Sequence, residues 1–194
     1  MIVGASMPDS SLPAAATRAR ACHVECLFSA EQVAACVRHL AGRISADYAG
    51  QHPLVIGVLK GAWLFMADLV RQLTIPVCCE FVRVSSYGTG TITSGQPRLL
   101  LDVGESVTGR HVLVVDDIID TGISVSWLLE RLRERQPASL RLCSLLDKPS
   151  RRRVPVQADY IGFEIPDRFV VGYGIDYAEQ FRELPYIGYV TDHE

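Results

Sequence analysis

No apolar run in this chain approaches the ~18 to 20 residues needed to cross a bilayer. The first residues, MIVGASMPDSSLPAAATRARAC, lack the basic start and continuous apolar stretch of a secretory signal. No excess of positive charge exists either. Nineteen basic side chains face 22 acidic ones, a net charge of -3, so the cationic field of a generic nucleic-acid binder is absent. Nor do the six cysteines make a framework. Cys78 and Cys79 are adjacent in a strand-like run and must point to opposite faces, which suits neither a mutual bridge nor a metal cluster. Cys22 and Cys26 frame one His on a segment expected to fray, a weak zinc signature. Reduced thiols in a cytoplasmic protein are the expectation. Internal repeats and domain-dividing linkers are missing too. Residues 1–21, rich in Ala, Ser and Pro from Pro8 to Arg20, are expected to form a flexible leader, with one domain over residues 22–194.

What is present is an alternation. With 48% apolar and 21% charged residues, 194 residues suffice for a substantial core and exclude wholesale disorder. Ser29 and Gln32 have capping-box spacing, and Val33, Val37, Leu40 and Ile44 continue as a helical stripe. LVIGVL (54–59), a short continuous apolar run, and HVLVVD (111–116) suit strands buried on both faces. Helices are expected after each: GAWLFMADLVRQL, stopping before Pro76, and one with Val125, Leu128, Leu129 and Leu132 on one face. VCCEFVRV (77–84), SLRLCSLL (139–146), YIGFEI (160–165) and FVVGYG (169–174) supply further strands, while residues 85–110 form a polar stretch broken only by RLLLD (98–102). Strands alternating with helices imply an α/β fold around a parallel sheet.

The densest chemistry lies in VLVVDDIIDTGIS, residues 112–124. Apolar residues run up to Asp116; then Asp116, Asp117, Asp120, Thr121, Gly122 and Ser124 crowd a strand-to-helix junction, where open α/β sheets bind ligands. Thr121, Gly122 and Ser124 offer small side chains and backbone N–H groups at a helix N-terminus, a pocket for a phosphate monoester. The carboxylates before it would repel phosphate, so they must face another part of the ligand, such as vicinal hydroxyls or a magnesium ion. Three acids within five residues exceed what a helix cap requires. The segment is built for a sugar phosphate.

VVDDIIDTG resembles the signature of the type I phosphoribosyltransferases, which bind 5-phosphoribosyl 1-pyrophosphate (PRPP). GVLKGAWLFMADL (57–69), VSSYGTGTITSG (84–95), LLDKPSRR (145–152) and IGFEIPDRFVVGYGIDYAEQFRELPYIG (161–188) resemble the hypoxanthine-guanine branch, so the likeness covers roughly residues 24 to 190. It implies the type I phosphoribosyltransferase fold, a parallel sheet flanked by helices with a small hood made of N- and C-terminal segments. It also implies purine salvage: a 6-oxopurine plus PRPP giving the nucleoside monophosphate and pyrophosphate, with Mg2+ as cofactor and a homodimer or homotetramer as the assembly.

Residue by residue, the resemblance makes Asp116 and Asp117 the holders of the ribose hydroxyls and Asp120 the general base. Thr121, Gly122, Ile123 and Ser124 would surround the 5-phosphate. Lys60 and Gly61, in a loop that carries a non-proline cis peptide in this family, would meet the pyrophosphate together with Arg182. Lys148 would donate to the exocyclic oxygen of the purine; a lysine has no acceptor and so discriminates against the amino group of adenine. Phe169 would stack on the base and Val170 would read its edge through backbone groups. Asp176 is the implied second-metal ligand, beside Asp116 and Asp117 as metal-facing carboxylates. Ser86 and Tyr87 would open a mobile lid that excludes water.

Two positions depart from the pattern: Asp116 replaces the commoner Glu, and Ile123 stands where several relatives carry a basic side chain. Arg151, Arg152 and Arg153 read as a solvated run on a surface connection rather than an RNA contact. The competing class is a phosphoribosyltransferase-like regulator that senses PRPP or nucleotide and binds nucleic acid. It would call for a basic face and tolerate loss of the catalytic acid; this chain keeps Asp120 and has no basic excess.

Overall fold

The computed structural model describes residues 23–85 and 97–191. The expected leader and the lid pair Ser86 and Tyr87 lie outside the described residues. Helix α1 (Ala30–Asp47) starts where the capping box places it. Ser29 Oγ accepts from the Gln32 N–H at 3.3 Å, and Gln32 Oε1 accepts from the Ser29 N–H at 2.8 Å. Its buried apolar residues are Val33, Val37, Leu40, Ala41 and Ile44, the stripe set by a 3.6-residue period. β1 (His23–Phe28) precedes it; Cys26 therefore sits in a strand, paired with Gly188, and not on a fraying end.

A six-stranded sheet carries the molecule. β2 (Leu54–Leu59), β3 (Cys78–Ser85), β5 (His111–Ile119), β6 (Ser139–Asp147) and β7 (Tyr160–Glu164) run parallel, in the order β3-β2-β5-β6-β7. The sheet is parallel as expected over these five strands, and β4 (Arg98–Leu101) adds to the β3 edge antiparallel. The central strands are apolar on both faces because both are covered. Val55, Leu113 and Val115 pack towards α1 and α2 (Trp63–Gln72), with Leu40, Phe65 and Leu69. Their neighbours Leu54, Ile56, Val112 and Val114 pack with Leu128 and Leu132 of α3 (Ile123–Glu134) on the other face.

A second, three-stranded sheet forms the hood, with β1 and β8 (Val170–Val171) on either side of β9 (Ile187–Thr191), all antiparallel. The expected strand over residues 169–174 shrinks to two residues, because Gly172, Tyr173 and Gly174 take φ of 97°, 49° and 99°. Those left-handed values turn the chain out of the sheet.

Chain order fixes where a ligand can sit. From β2 the chain crosses to β3 on one side, while β5 pairs with β2 on the other. The resulting crevice lies beyond the carboxyl ends of β2 and β5, the switch point at which open α/β sheets bind ligands. Among the described residues, no helix is long and apolar enough to cross a membrane.

Candidate active site

β5 continues through Ile119, three residues beyond the expected Asp116 end, because Ile118 and Ile119 still pair with Leu146 and Asp147 of β6. Asp116 and Asp117 are therefore strand residues, and only Asp120, Thr121 and Gly122 make the turn into α3. Gly122 is the N-cap at φ 81°, a left-handed conformation. A Cβ there would also meet Val156, the Val154 carbonyl and the Arg152 side chain, so glycine is required on two counts. Gly122 cannot cap with a side chain; Thr121 Oγ1 accepts from the Ile123 N–H at 3.4 Å. A cavity of about 220 Å³ opens over this helix end, lined by Asp116, Ile118, Ile119, Asp120, Thr121, Gly122, Ser124 and Val125. First-turn N–H groups without intrahelical acceptors and the positive end of α3 make it an anion pocket.

The turn is braced from behind. Arg153 and Val154 donate their N–H groups to the Thr121 carbonyl at 2.9 and 3.2 Å. Arg152 donates to the Asp120 carbonyl at 3.3 Å and also pairs with Asp147. The expected solvated arginine run is thus corrected: the Arg152 side chain is only 17% exposed, because it ties β6 to the phosphate turn. Arg151 lies with its Nε 3.4 Å from Asp120 Oδ1. That carboxylate oxygen is buried and makes no hydrogen bond, so it has unused accepting capacity at the mouth of the pocket.

Asp116 is buried, and its Oδ1 accepts from the Asp117 N–H at 3.1 Å. Burial pushes the Asp116 carboxyl well above the usual carboxylate range, and the neighbouring Asp117 charge adds to this. Burial raises Asp117 as well. A carboxyl whose charge is disfavoured by burial gains from a nearby hard cation. Among the described residues, no three His, Cys, Asp or Glu side chains converge to cage an ion by themselves. Magnesium seldom needs such a cage, being held through one or two carboxylates together with substrate phosphates and waters. Asp117 and Asp176 line one cleft and fit that mode, whereas Asp116 lines the phosphate pocket.

The cleft shared by Asp117 and Asp176 measures about 330 Å³ and is also lined by Leu59, Lys60, Gly61, Arg83, Val84, Glu179 and Arg182. The Leu59–Lys60 peptide is cis, as the resemblance implied. Gly61 packs so closely on the Asp117 carboxylate that a Cβ would overlap it. Arg182 donates to the Gly174 carbonyl at 2.7 Å and pairs with Asp176 at 2.7 Å. Its Nε is buried without a hydrogen-bond partner. Arg83 and Glu179 were not singled out from the sequence. Arg83 is brought to the cleft by strand pairing, in register with Leu59 on the neighbouring strand, which the sequence does not display.

On the hood side, Lys148 is buried; its Nζ donates to the Arg168 carbonyl at 2.8 Å, and its N–H donates to the Ile119 carbonyl at 3.0 Å. That second bond fastens Lys148 to the end of β5. Asp167 connects the two regions, lying 4.0 Å from Lys148 Nζ and 3.7 Å from Arg151 Nη1. Phe169 is 54% exposed and meets Tyr177 edge-to-face at 5.2 Å, so it is no core residue. An exposed aromatic face beside buried Val170 leaves a surface on which a planar ring can stack.

The family model described as "Phosphoribosyl transferase domain" matches residues 23–178. The chain is 47% identical to a hypoxanthine-guanine phosphoribosyltransferase of Bacillus subtilis over 162 residues, covering 84% of this chain and 90% of that protein. It is 48% identical to a hypoxanthine phosphoribosyltransferase of Haemophilus influenzae over 175 residues, 89% of this chain and 98% of the other. Among solved structures, a hypoxanthine-guanine phosphoribosyltransferase from Bacillus anthracis superposes with a TM-score of 0.81 at 42% identity, covering 88% of this chain and 99% of that one.

Proposed function

The chain belongs to the phosphoribosyl transferase domain family and is a purine-salvage enzyme of the hypoxanthine-guanine phosphoribosyltransferase type, and on that premise we propose how its residues divide the reaction. A 6-oxopurine attacks the anomeric carbon of PRPP through a ring nitrogen, pyrophosphate leaves, and the nitrogen's proton passes to Asp120. The observation that carries this assignment is the buried, unbonded Oδ1 of Asp120 at the mouth of the phosphate pocket. Thr121, Gly122, Ile123 and Ser124 hold the 5-phosphate at the α3 N-terminus. Asp116 and Asp117 orient the ribose hydroxyls. Lys60, Gly61 and Arg182 receive the pyrophosphate, where the guanidinium matches paired phosphate oxygens.

Asp117 and Asp176 would hold Mg2+, which when bound would neutralise charge on the departing pyrophosphate. Lys148 donates to the purine's exocyclic oxygen, exchanging the Arg168 carbonyl for it, while Phe169 stacks and Val170 presents backbone groups to the ring edge. Much of the acceleration must come from holding these partners in line, because a general base alone contributes ~10² to 10⁴-fold. The working form is a homodimer or homotetramer, a reading supported by the exposed apolar surface of Trp63, Leu100 and Leu101. A cytoplasmic setting is supported by the described cysteines, Cys26, Cys36, Cys78, Cys79 and Cys143, all being free thiols. A regulator that only binds has no observation in its favour.

The test is a substrate panel. Incubated with PRPP and Mg2+, the protein should form nucleotide and pyrophosphate with hypoxanthine, guanine or both, and not with adenine. Lys148→Ala should cost about 10- to 100-fold in kcat/KM for 6-oxopurines, the worth of a hydrogen bond from a charged donor. Any residual activity towards adenine should not fall in parallel. An equal loss with every base would remove Lys148 from recognition, and turnover of adenine alone would overturn the substrate assignment.

A further inference from the structure

We propose that Glu179 is an internal stand-in for pyrophosphate: its carboxylate occupies the cations of the pyrophosphate cleft, PRPP displaces it on binding, and its return helps expel the pyrophosphate product. The inference rests on the assignment of Lys60 and Arg182 to pyrophosphate. Lys60 Nζ donates to both Glu179 oxygens, at 3.1 and 2.9 Å, and Arg182 Nη2 donates to one of them at 3.3 Å. One carboxylate thus holds the two cations assigned to the leaving pyrophosphate. Lys60 and Arg182 in turn hold its pKa below the usual carboxylate range.

The backbone presents this side chain deliberately. Tyr177 and Gln180 exchange N–H···O bonds of 3.1 and 3.0 Å, closing a tight turn with Glu179 inside it. Ala178, Glu179 and Phe181 take φ of 50°, 64° and 73°, a left-handed conformation uncommon for residues with side chains. Such departures persist only where the surroundings enforce them and gather at functional sites. Asp176 Oδ2 accepts from the Glu179 N–H at 2.8 Å, so the main chain is pinned while the side chain stays 67% exposed. It can therefore rotate out without disturbing the turn.

Charge balance supplies the motive. Lys60, Arg83 and Arg182 line the cleft against Asp117, Asp176 and Glu179, and the last two of these acids already engage Arg182. Removing Glu179 from contact leaves the cleft more positive as the pyrophosphate arrives. An exposed ion pair is weak, so a ligand bearing several charged oxygens displaces it. The same carboxylate competes for Lys60 and Arg182 once the glycosidic bond has formed.

Calorimetric titration of inorganic pyrophosphate with Mg2+, at fixed ionic strength, into the full-length protein tests this. Glu179→Gln should bind pyrophosphate roughly two- to fivefold more tightly than the parent, as expected for losing a weak competing ion pair. Glu179→Ala should shift the same way, and the KM for PRPP should fall with it. Equal or weaker binding in both variants would overturn the proposal, since damage to a merely structural loop loosens Lys60 and Arg182. If Lys60→Ala leaves pyrophosphate affinity unchanged as well, the assignment of the cleft itself falls. If Lys60→Ala weakens binding while both Glu179 variants match the parent, only the Glu179 proposal fails.

Discussion

Asp120→Asn is expected to lower nucleotide formation by roughly 10²- to 10⁴-fold while leaving PRPP affinity largely intact. The substitution keeps the shape of the side chain and removes its capacity to take a proton. Its surroundings favour a clean result. The Asp120 backbone is held by Arg152 through its carbonyl and not through the carboxylate, so the turn should stay in place. The neighbouring Arg151 guanidinium is 47% exposed and loses only a screened ion pair. Steady-state turnover with saturating PRPP and hypoxanthine, beside calorimetric PRPP binding, separates the two effects. An unchanged rate would remove Asp120 as the base; a loss of binding equal to the loss of rate would make it a substrate ligand instead.

Gly61→Ala should cost on the order of 10²-fold in kcat/KM for PRPP, because displacing reacting groups by about an ångström is worth that much. The added Cβ would enter the Asp117 carboxylate, and the Gly61 carbonyl is closely covered by Gly174 on the other side. With backbone on one side and the half-buried Asp117 carboxylate on the other, the collision has to move Asp117, the Lys60–Gly61 loop, or both. Each belongs to the pyrophosphate cleft. Thermal unfolding should change far less than activity, since Gly61 sits at the crevice and is only half-buried, outside the packed core. Wild-type kcat/KM in this variant would show that the cleft tolerates relaxation and does not depend on that contact.

Features written in local pattern were legible in the sequence. The capping box at Ser29 and Gln32, the two-face burial of LVIGVL and the glycine at the phosphate turn all follow from spacing over a few residues. The end of β5 was misplaced because Asp116 and Asp117 interrupt the apolar run that marks a buried strand, while ladder pairing with β6 continues regardless. β9 was not anticipated, since its partner β1 lies at the opposite end of the chain, His23 facing Thr191. Partners distant in sequence also hid two site residues. Glu179 meets Lys60 across 119 positions, and Arg152 meets Asp120 across 32. No periodicity connects such pairs. The exposure of Phe169 is likewise not written in local pattern: an aromatic beside a valine pair suits a core equally well, yet its ring lies outside.

The fold also explains how a chain of net charge -3 can serve a heavily anionic substrate. Positive potential is gathered locally, from the α3 N-terminus, Lys60, Arg83 and Arg182, while much of the acidic excess lies in the site itself as Asp116, Asp117, Asp120 and Asp176. A crystal structure with Mg2+, a non-reactive PRPP analogue and hypoxanthine tests that arrangement most directly. The 5-phosphate should sit on residues 121–124, the purine oxygen within hydrogen-bond distance of Lys148 Nζ, and Asp120 Oδ1 facing a purine ring nitrogen. A purine bound away from Phe169 and Lys148, or a 5-phosphate seated on Lys60 and Arg182 instead of the α3 turn, would contradict the account.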